Sequence, residues 1–155
     1  MEKFTLKKTD PGSDIPYELL LLADETVEAI DQYIFDSDIY LLHHDVQNIA
    51  VMALYQNSNT ELEIKNIAVI ESCRSQGIGT ILINQAKEIA NENGYTTLAV
   101  GTSDTGFQQI KFYEKNGFIK KGVRKDFFIE NYAAPIYENG LQMRDMIILT
   151  HDLSK

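Results

Sequence analysis

The sequence predicts a mixed α/β fold whose first half forms a largely antiparallel sheet. Three strand-like runs lie between residues 39 and 70 and are separated only by short polar turns. A long amphipathic helix follows, and strands then alternate with a second helix. With 155 residues, of which 44% are hydrophobic, the chain is expected to form one domain over residues 1–155 with a substantial buried core.

The first half is assigned from its apolar periodicity. Short alternating or continuous apolar runs indicate strands, whereas recurrence every three or four residues, as at Val27, Ile30 and Ile34, indicates a helix. In the third long strand the alternation slips between Ile64 and Ile67, which predicts a β-bulge with unpaired backbone groups. The expected elements are an edge strand at 2–8, a turn-rich loop at 9–16, short helices at about 16–22 and 24–35, strands at 39–43 and 48–55 joined by a hairpin turn at 44–47, a polar turn at 56–59 and a strand at 61–70.

The second half begins with the clearest helix of the sequence. An apolar stripe runs from Ile78 to Ala90, and Gly94 follows at the position that favours a helix C-cap. Asn116 and Gly117 are expected to end a second helix. The expected elements are a helix at 77–93, a short strand at 96–100, a helix at 105–115, a strand from 118, a long aromatic and acidic loop at 127–142 and a last strand at 143–150.

Charge is distributed unevenly along the chain. The net charge is -9, which disfavours nucleic-acid binding because such proteins need lysine and arginine to displace counterions. Between Lys8 and Lys65 there are twelve acidic residues and no lysine or arginine. From Lys65 onward the chain has eleven basic and ten acidic residues. The first part is therefore expected either to attract a cation or simply to keep the protein soluble, and the second part tolerates an anion.

Other broad classes of protein are disfavoured by simple features. No apolar run reaches eighteen residues, and no apolar segment follows the basic residues of the N-terminus, so neither a membrane span nor a signal peptide is expected. Cys73 is the sole cysteine, which excludes an intramolecular disulfide and a cysteine-rich metal site. The two adjacent histidines, His43 and His44, lack further ligands nearby, so no metal is expected. A cytoplasmic protein is the resulting expectation.

The segment between the third long strand and the clearest helix has the features of an anion site. Gly77 and Gly79 allow a sharp turn and close approach of a ligand, and the helix start offers free N–H groups to a pyrophosphate. Arg74 adds a charge-assisted contact. A dinucleotide fingerprint would need glycine at Leu82, and a Walker A loop would need Gly-Lys-Ser/Thr. A plain strand-to-helix turn explains the glycine spacing equally well.

Residues 74–79, Arg-Ser-Gln-Gly-Ile-Gly, match the Gln/Arg-x-x-Gly-x-Gly/Ala motif, and the chain thereby resembles the GNAT superfamily of acyl-CoA N-acyltransferases. Residues 112–118, Phe-Tyr-Glu-Lys-Asn-Gly-Phe, are similar to the family's Tyr-Glu-Lys-x-Gly-Phe signature. The two motifs lie about 34 residues apart with a helix and a strand between them. The sequence departs from the family pattern at Gly106 and Gln109, where many members carry asparagine and a small residue.

The resemblance implies a GNAT-like fold and an acetyl-CoA site. Mostly antiparallel central strands would splay apart around acetyl-CoA, with helices on either side. The pantetheine arm would pair with the backbone of the strand at 61–70, and the pyrophosphate would lie on amides of the glycine loop. The cofactor-binding residues that the resemblance implies are Ile67, Ala68, Val69, Arg74, Ser75, Gln76, Gly77, Ile78, Gly79, Thr80, Phe112 and Lys115.

The resemblance also implies direct attack of an amine on the thioester in a ternary complex. Glu63 is the candidate general base acting through a water, the Val69 backbone N–H the candidate oxyanion donor, and Tyr113 the candidate general acid. A solvated or structural role remains open for Glu63 and for Tyr113. Residues of the C-terminal segment would either line the acceptor pocket or form a surface loop: Glu130, Tyr132, Tyr137, Glu138 and Asp145.

The acceptor is the least determined part of the prediction. The acidic first half favours the primary amine of a small cationic molecule, so the leading hypothesis is a small-molecule N-acetyltransferase. A protein or peptide N-acetyltransferase and a non-catalytic acyl-CoA-binding regulatory module are the alternatives. Many relatives form dimers, so a homodimer is compatible with the resemblance.

Overall fold

The computed structural model describes residues 4–10 and 12–154. Nine strands and five α-helices, with 3₁₀ turns at Ile34–Asp36 and Glu71–Cys73, make up this part of the chain. The strands are β1 (Phe4–Lys8), β2 (Ser37–His44), β3 (Gln47–Gln56), β4 (Glu61–Val69), β5 (Thr97–Ser103), β6 (Ile119–Arg124), β7 (Tyr137–Glu138), β8 (Leu141–Gln142) and β9 (Met146–Asp152). The helices are α1 (Tyr17–Leu20), α2 (Val27–Asp31), α3 (Ile78–Glu92), α4 (Phe107–Lys115) and α5 (Phe127–Glu130).

Seven strands form one sheet in the order β1-β2-β3-β4-β5-β9-β6. All neighbours are antiparallel except β4 and β5, which run parallel. This arrangement confirms the expected mixed sheet with an antiparallel first half. Helix α3 connects the parallel pair, because antiparallel hairpins cannot join two parallel strands.

Helices cover both faces of the sheet. Leu82 and Ala86 of α3 pack with Met52 of β3 in one apolar cluster, whereas Leu20 of α1 and Val51 of β3 belong to a second. Strand β3 therefore sends successive side chains into two different cores. Burial on both faces explains why residues 49–54 form a continuous apolar run instead of an alternating pattern.

The central feature of the sheet is an opening between β4 and β5. These strands pair only from Glu61–Thr97 to Ile64–Val100, although β4 continues to Val69 and β5 to Ser103. On the other side of β4, Lys65 lies opposite no residue of β3, because Ile64 pairs with Leu54 and Asn66 with Ala53. This confirms the bulge that the slipped alternation predicts, and it coincides with the point where β4 leaves β5.

The region before β2 differs from its prediction. The expected helices at about 16–22 and 24–35 are shorter, because α1 spans only Tyr17–Leu20 and α2 only Val27–Asp31. The Thr26 hydroxyl accepts the Ala29 N–H at 3.0 Å and caps α2 two residues after the expected start. Tyr33 then leaves helical geometry at φ -131°, and a 3₁₀ turn follows. Residues 2 and 3 of the expected edge strand lie outside the described residues.

The segment 127–142 is not the long loop that the sequence predicts. It contains the short helix α5 and the hairpin β7–β8. Asn139 and Gly140 form the hairpin turn with φ values of 54° and 76°, as a type I′ turn requires. The Asn-Gly pair is a strong hairpin signal, so this element was recognisable from the sequence. The last strand begins at Met146, three residues later than the predicted start at 143.

Candidate active site

The free edge of β4 at the opening presents backbone groups to a ligand. The Ile70 N–H donates to the Ile49 carbonyl at 2.9 Å, which makes these two residues a hydrogen-bonded antiparallel pair. Because such pairs alternate along a ladder, Val69 and Ile67 are non-hydrogen-bonded opposite Ala50 and Met52. Their N–H and C=O groups therefore point away from β3 and into the opening. Another extended chain can pair with them as a strand would.

The loop that follows β4 concentrates N–H groups at the start of α3. Ser75 and Gly77 both adopt left-handed backbone conformations, with φ of 65° and 79°. The first hydrogen bond of the helix runs from the Ile81 N–H to the Gly77 carbonyl, and no side chain caps the helix. The N–H groups of residues 78–80 therefore have no acceptor in the described chain. Together with the positive end of a fifteen-residue helix, they fit a pyrophosphate.

Two polar side chains of the loop contact the loop itself. Arg74 Nε donates to the Val69 carbonyl at 3.0 Å, and Gln76 Nε2 donates to the Ser72 carbonyl at 3.4 Å. The guanidinium of Arg74 thereby lies at the junction between the opening and the helix start. Its remaining N–H groups are suitable donors for a phosphate.

Gly79 allows a close approach between α3 and α4. A Cβ atom at this position would lie 3.1 Å from Cζ of Phe112, which is closer than ordinary packing allows. The second glycine of the motif thus has a packing role in addition to any contact with a ligand. Phe112 in turn contacts the Tyr113 ring, with centroids 5.3 Å apart.

Not every candidate cofactor residue lies at the opening. Ala68 forms a hydrogen-bonded pair with Val51, and its methyl group packs in the cluster beneath α1 and α2. The Ile78 side chain is buried in the other core, so only its N–H can reach a ligand. Lys115 is exposed in the last turn of α4, where a cation complements the helix dipole, and no described contact brings it to the loop. Thr80, in contrast, lies at the start of α3 as expected.

Tyr113 is buried where α4 packs against the sheet. Its ring lies between Phe112 and Phe118, with centroids 5.3 and 5.7 Å away. Burial raises the pKa of the Tyr113 hydroxyl well above its usual range. The hydroxyl therefore stays protonated at neutral pH.

A cavity of about 470 Å³ lies on the α1–α2 side of the sheet, next to the opening. Its floor comes from β4, β5, β6 and β9, and its walls come from the segment 24–33 and from α5 and the following residue. The lining residues are Asp24, Glu28, Ala29, Gln32, Tyr33, Glu63, Ile64, Lys65, Gly101, Arg124, Phe127, Glu130, Asn131 and Met146. A larger concavity of about 730 Å³ lies near the N-terminal loop, but none of the described residues that line it belongs to β4 or β5.

Glu63 lies in the cavity with its carboxylate almost fully enclosed. Its side chain is only 5% exposed, and both oxygens have partners. Oε1 accepts a hydrogen bond from Asn57 Nδ2 at 2.8 Å, and Oε2 lies 3.3 Å from Lys65 Nζ. The Lys65 ammonium also lies 5.3 Å from the centre of the Tyr55 ring. These contacts fix the orientation of the carboxylate while each oxygen retains a lone pair for a water or an amine.

A second carboxylate at the cavity wall is held by two tyrosines. Asp24 accepts hydrogen bonds from the hydroxyls of Tyr132 at 2.7 Å and Tyr33 at 3.1 Å. Burial and the Asp24 carboxylate raise the pKa of Tyr132, and burial is the main cause for Tyr33 as well. Tyr33 also accepts from Asn66 Nδ2, whose Oδ1 is the one buried side-chain atom without a partner in the described chain. This network joins the C-terminal segment to the wall formed before α2.

Of the remaining acidic candidates of the C-terminal segment, Glu138 and Asp145 lie away from the cavity. Glu130 lines the cavity, but the Glu138 carboxylate accepts from Thr105 Oγ1 at 3.1 Å and from Gln109 Nε2 at 3.5 Å. The hairpin thereby docks on the start of α4, where Gln109 replaces the small residue of the family pattern. Asp145 accepts the backbone N–H of residue 126 and does not line the cavity.

The described residues also bear on metal sites and membrane spans. Residues 4–10 and 12–154 contain no cluster of three or more His, Cys, Asp or Glu side chains arranged to hold a metal ion. Among the helices of this same part of the chain, none is sufficiently long and apolar to cross a membrane.

Comparison with known proteins identifies the fold and its chemistry. The profile of the Acetyltransferase (GNAT) family matches residues 12–118, which include both β4 and the glycine loop. The chain belongs to the GNAT family. It is 35% identical to the uncharacterized N-acetyltransferase YvbK of Bacillus subtilis, over 99% of both chains. This GNAT member is therefore an N-acetyltransferase.

Solved structures of GNAT relatives support acetyl-CoA as the co-substrate. A GNAT family acetyltransferase from Elizabethkingia anophelis with acetyl-CoA bound is 40% identical, with a TM-score of 0.93 over 96% of this chain and 97% of that one. A Bacillus subtilis acetyltransferase in complex with CoA is 34% identical, with a TM-score of 0.88 over 97% and 99%. The exposed edge of β4 and the free N–H groups of α3 are the features of this chain that fit such a ligand.

Sequence reasoning missed several residues of the cavity. Arg124, Phe127 and Met146 belong to strands and a helix whose faces could not be assigned from the pattern. Asn57 lies in a turn that the sequence marks only as polar, yet it orients Glu63. Asp24 was recognisable only as one of twelve acids, because its tyrosine partners lie far away along the chain.

Proposed function

We propose that this GNAT enzyme transfers an acetyl group from acetyl-CoA to the primary amine of a small cationic molecule, by direct attack in a ternary complex. The observation that carries the proposal is the cavity beside the opening between β4 and β5. Its lining has four carboxylates, those of Asp24, Glu28, Glu63 and Glu130, against two cations. This excess of negative charge attracts an ammonium group.

The proposed chemistry assigns one proton transfer to Glu63. Acetyl-CoA supplies the activated acyl group, and the acceptor must lose a proton to become a nucleophile because an alkylammonium has a pKa of about 10. The Glu63 carboxylate, oriented by Asn57 and Lys65, would take this proton through a water. Neutral Tyr113 would give its proton to the departing sulfur.

The backbone would provide the remaining catalytic contact. The Val69 N–H is directed into the opening and would donate to the thioester carbonyl oxygen as that oxygen gains negative charge. Ile67, two residues earlier on the same edge, would hold the extended arm of the co-substrate. The N–H groups of residues 78–80 and the Arg74 guanidinium would bind its pyrophosphate.

The role of Glu63 can be tested with a matched pair of variants. Glu63→Gln should lower kcat/KM for a reactive amine by about 10²- to 10⁴-fold, the usual contribution of a general base. Glu61→Gln is the control, because Glu61 accepts from the same Asn57 side chain at 2.8 Å but does not line the cavity. The assay follows CoA thiol release over a panel of primary amines, and calorimetry checks that both variants still bind acetyl-CoA.

The outcomes separate the proposed roles. Equal rates for the two variants would remove Glu63 as the base. Acetyl label that appears on peptides, but on no small amine, would replace the small-molecule acceptor by a peptide or protein. Tyr113→Phe should lower kcat. The control is Tyr40→Phe, which removes the hydroxyl of a half-buried tyrosine on β2 and should leave kcat unchanged.

A further inference from the structure

Among the described residues, three charged side chains lie on the cavity floor, and Arg124 is the one to which the proposed mechanism gives no role. It is the last residue of β6, pairs with Met146 of β9 and lines the cavity. Within the described chain its guanidinium has neither an ion-pair nor a hydrogen-bond partner. An unpaired guanidinium on a cavity floor can bind a planar anion such as a carboxylate, because it offers parallel N–H donors at fixed spacing.

The other cation of the cavity is already engaged. Lys65 Nζ lies 3.3 Å from the buried Glu63 carboxylate and 5.3 Å from the centre of the Tyr55 ring. Withdrawing this ammonium would leave a buried carboxylate without its counter-ion, which is costly. An anionic group on the acceptor would therefore bind to Arg124 and not to Lys65.

The acids and the free cation stand on different parts of the cavity. Asp24 and Glu28 belong to the wall before and within α2, and Glu130 belongs to α5. Glu63 and Arg124 both stand on the sheet, but on β4 and β6, which are separated by β5 and β9. A molecule with an ammonium group at one end and a carboxylate at the other would use both sets of charges. A diamine would instead place a second ammonium near a guanidinium, which is repulsive.

The space between the charges has an apolar component. Phe127 and Met146 contribute apolar groups to a cavity of about 470 Å³, which is within the usual range for small-molecule sites. An apolar segment can therefore separate the two charged ends of the acceptor.

We infer that the acceptor is an amino acid or a molecule of the same kind, whose ammonium group faces Glu63 and whose carboxylate binds to Arg124. This inference rests on the proposed amine acetylation and narrows its acceptor, which carries a carboxylate in addition to the ammonium group. The reaction remains the same: the amine nitrogen forms the amide bond, the carbon–sulfur bond breaks, and the carboxylate is unchanged.

The test compares acceptors of equal length and different charge. The probes are 4-aminobutanoate, 1,4-diaminobutane and butylamine, together with the common α-amino acids and ω-amino acids of two to six carbons. The wild-type enzyme should show its highest kcat/KM with an amino acid. Arg124→Gln should raise KM for that amino acid about 10- to 100-fold, which corresponds to a charged hydrogen bond of about 1.5–3 kcal/mol, and should raise KM for butylamine far less.

The neighbouring exposed lysine provides the control. Lys125→Gln removes the same charge one residue later, outside the cavity lining, and should change no acceptor constant. A wild-type preference for the diamine, or an amino-acid KM that is the same in Arg124→Gln and Lys125→Gln, would overturn the inference while the proposed amine acetylation stands.

A binding measurement distinguishes this failure from failure of the proposed function. Titration of the best-binding amino acid into the CoA-loaded protein, followed by calorimetry, requires no turnover. If no amine of any charge type is acetylated, the proposed function fails, and the inference is then decided by binding alone. Affinity that is lost in Arg124→Gln supports the carboxylate site, and the absence of Arg124-dependent binding refutes it.

Discussion

Replacing Gly77 by alanine tests how the anion loop is built. Gly77 has a φ of +79°, and a Cβ atom added there would meet no heavy atom within 4 Å. The cost of the substitution is therefore the backbone cost of a left-handed alanine, about 1–2 kcal/mol, without a clash against other parts of the chain. For a chain of 155 residues, each kcal/mol lowers Tm by about 2–4 °C.

The same substitution should weaken cofactor binding, since relaxation of φ at Gly77 would turn the N–H groups of residues 78–80 away from a common point. We expect the affinity for acetyl-CoA to fall about tenfold, or roughly 1.4 kcal/mol. Urea denaturation measures the stability, and calorimetry with acetyl-CoA measures the affinity.

Gly122→Ala is the matched control for this experiment. Gly122 lies on the exposed strand β6, a Cβ there also meets open space, and its φ is not positive. Its substitution should change stability by less than about 1 kcal/mol and should not change the affinity for acetyl-CoA. If Gly77→Ala behaves like Gly122→Ala in both assays, the left-handed turn does not organise the site and the reasoning is wrong.

Two further predictions concern stability. Lys87 Nζ donates to the Asn116 carbonyl at the end of α4, so Lys87→Met should lower Tm by about 2–4 °C, which thermal unfolding measures; an unchanged Tm would show that water replaces this contact fully. Buried tyrosines with raised pKa values, Tyr33, Tyr113 and Tyr132, keep their protons above the ordinary value of 10.0 when folded but not when unfolded. The stability that these protonated tyrosines contribute is complete below about pH 10 and is lost as the pH rises above it. The urea midpoint should therefore fall less steeply with pH in Tyr132→Phe than in the wild type. Equal slopes would show that Tyr132 does not contribute to this pH dependence.

The sheet and the loop could be predicted because their signals are local. The continuous apolar run of β3 reports burial on both faces, and the slipped alternation of β4 reports the bulge at Lys65. Gly77 and Gly79 mark the loop, although the sequence could not show that Gly79 faces Phe112. Each of these features depends on neighbours within a few residues.

The acceptor cavity could not be predicted, since its charges come from distant parts of the chain. Asp24 and Tyr132 are separated by 108 positions, and their hydrogen bond exists only after α5 has packed near the α1–α2 segment. The placement of Arg124 at the cavity likewise depends on the sheet order, in which β6 lies beyond β9. Periodicity indicates which residues are buried, but not which elements meet.

The unpaired residue Lys65 also decides which residues of β4 are neighbours in space. In a regular strand, positions three apart point to opposite faces, yet Glu63 lines the acceptor cavity and Asn66 bonds to Tyr33 of the same wall. The extra residue shifts the phase of the side chains, so that the candidate base and the network around Asp24 share one side. A regular strand of the same nine residues, without the bulge, would place the two groups on opposite faces of the sheet.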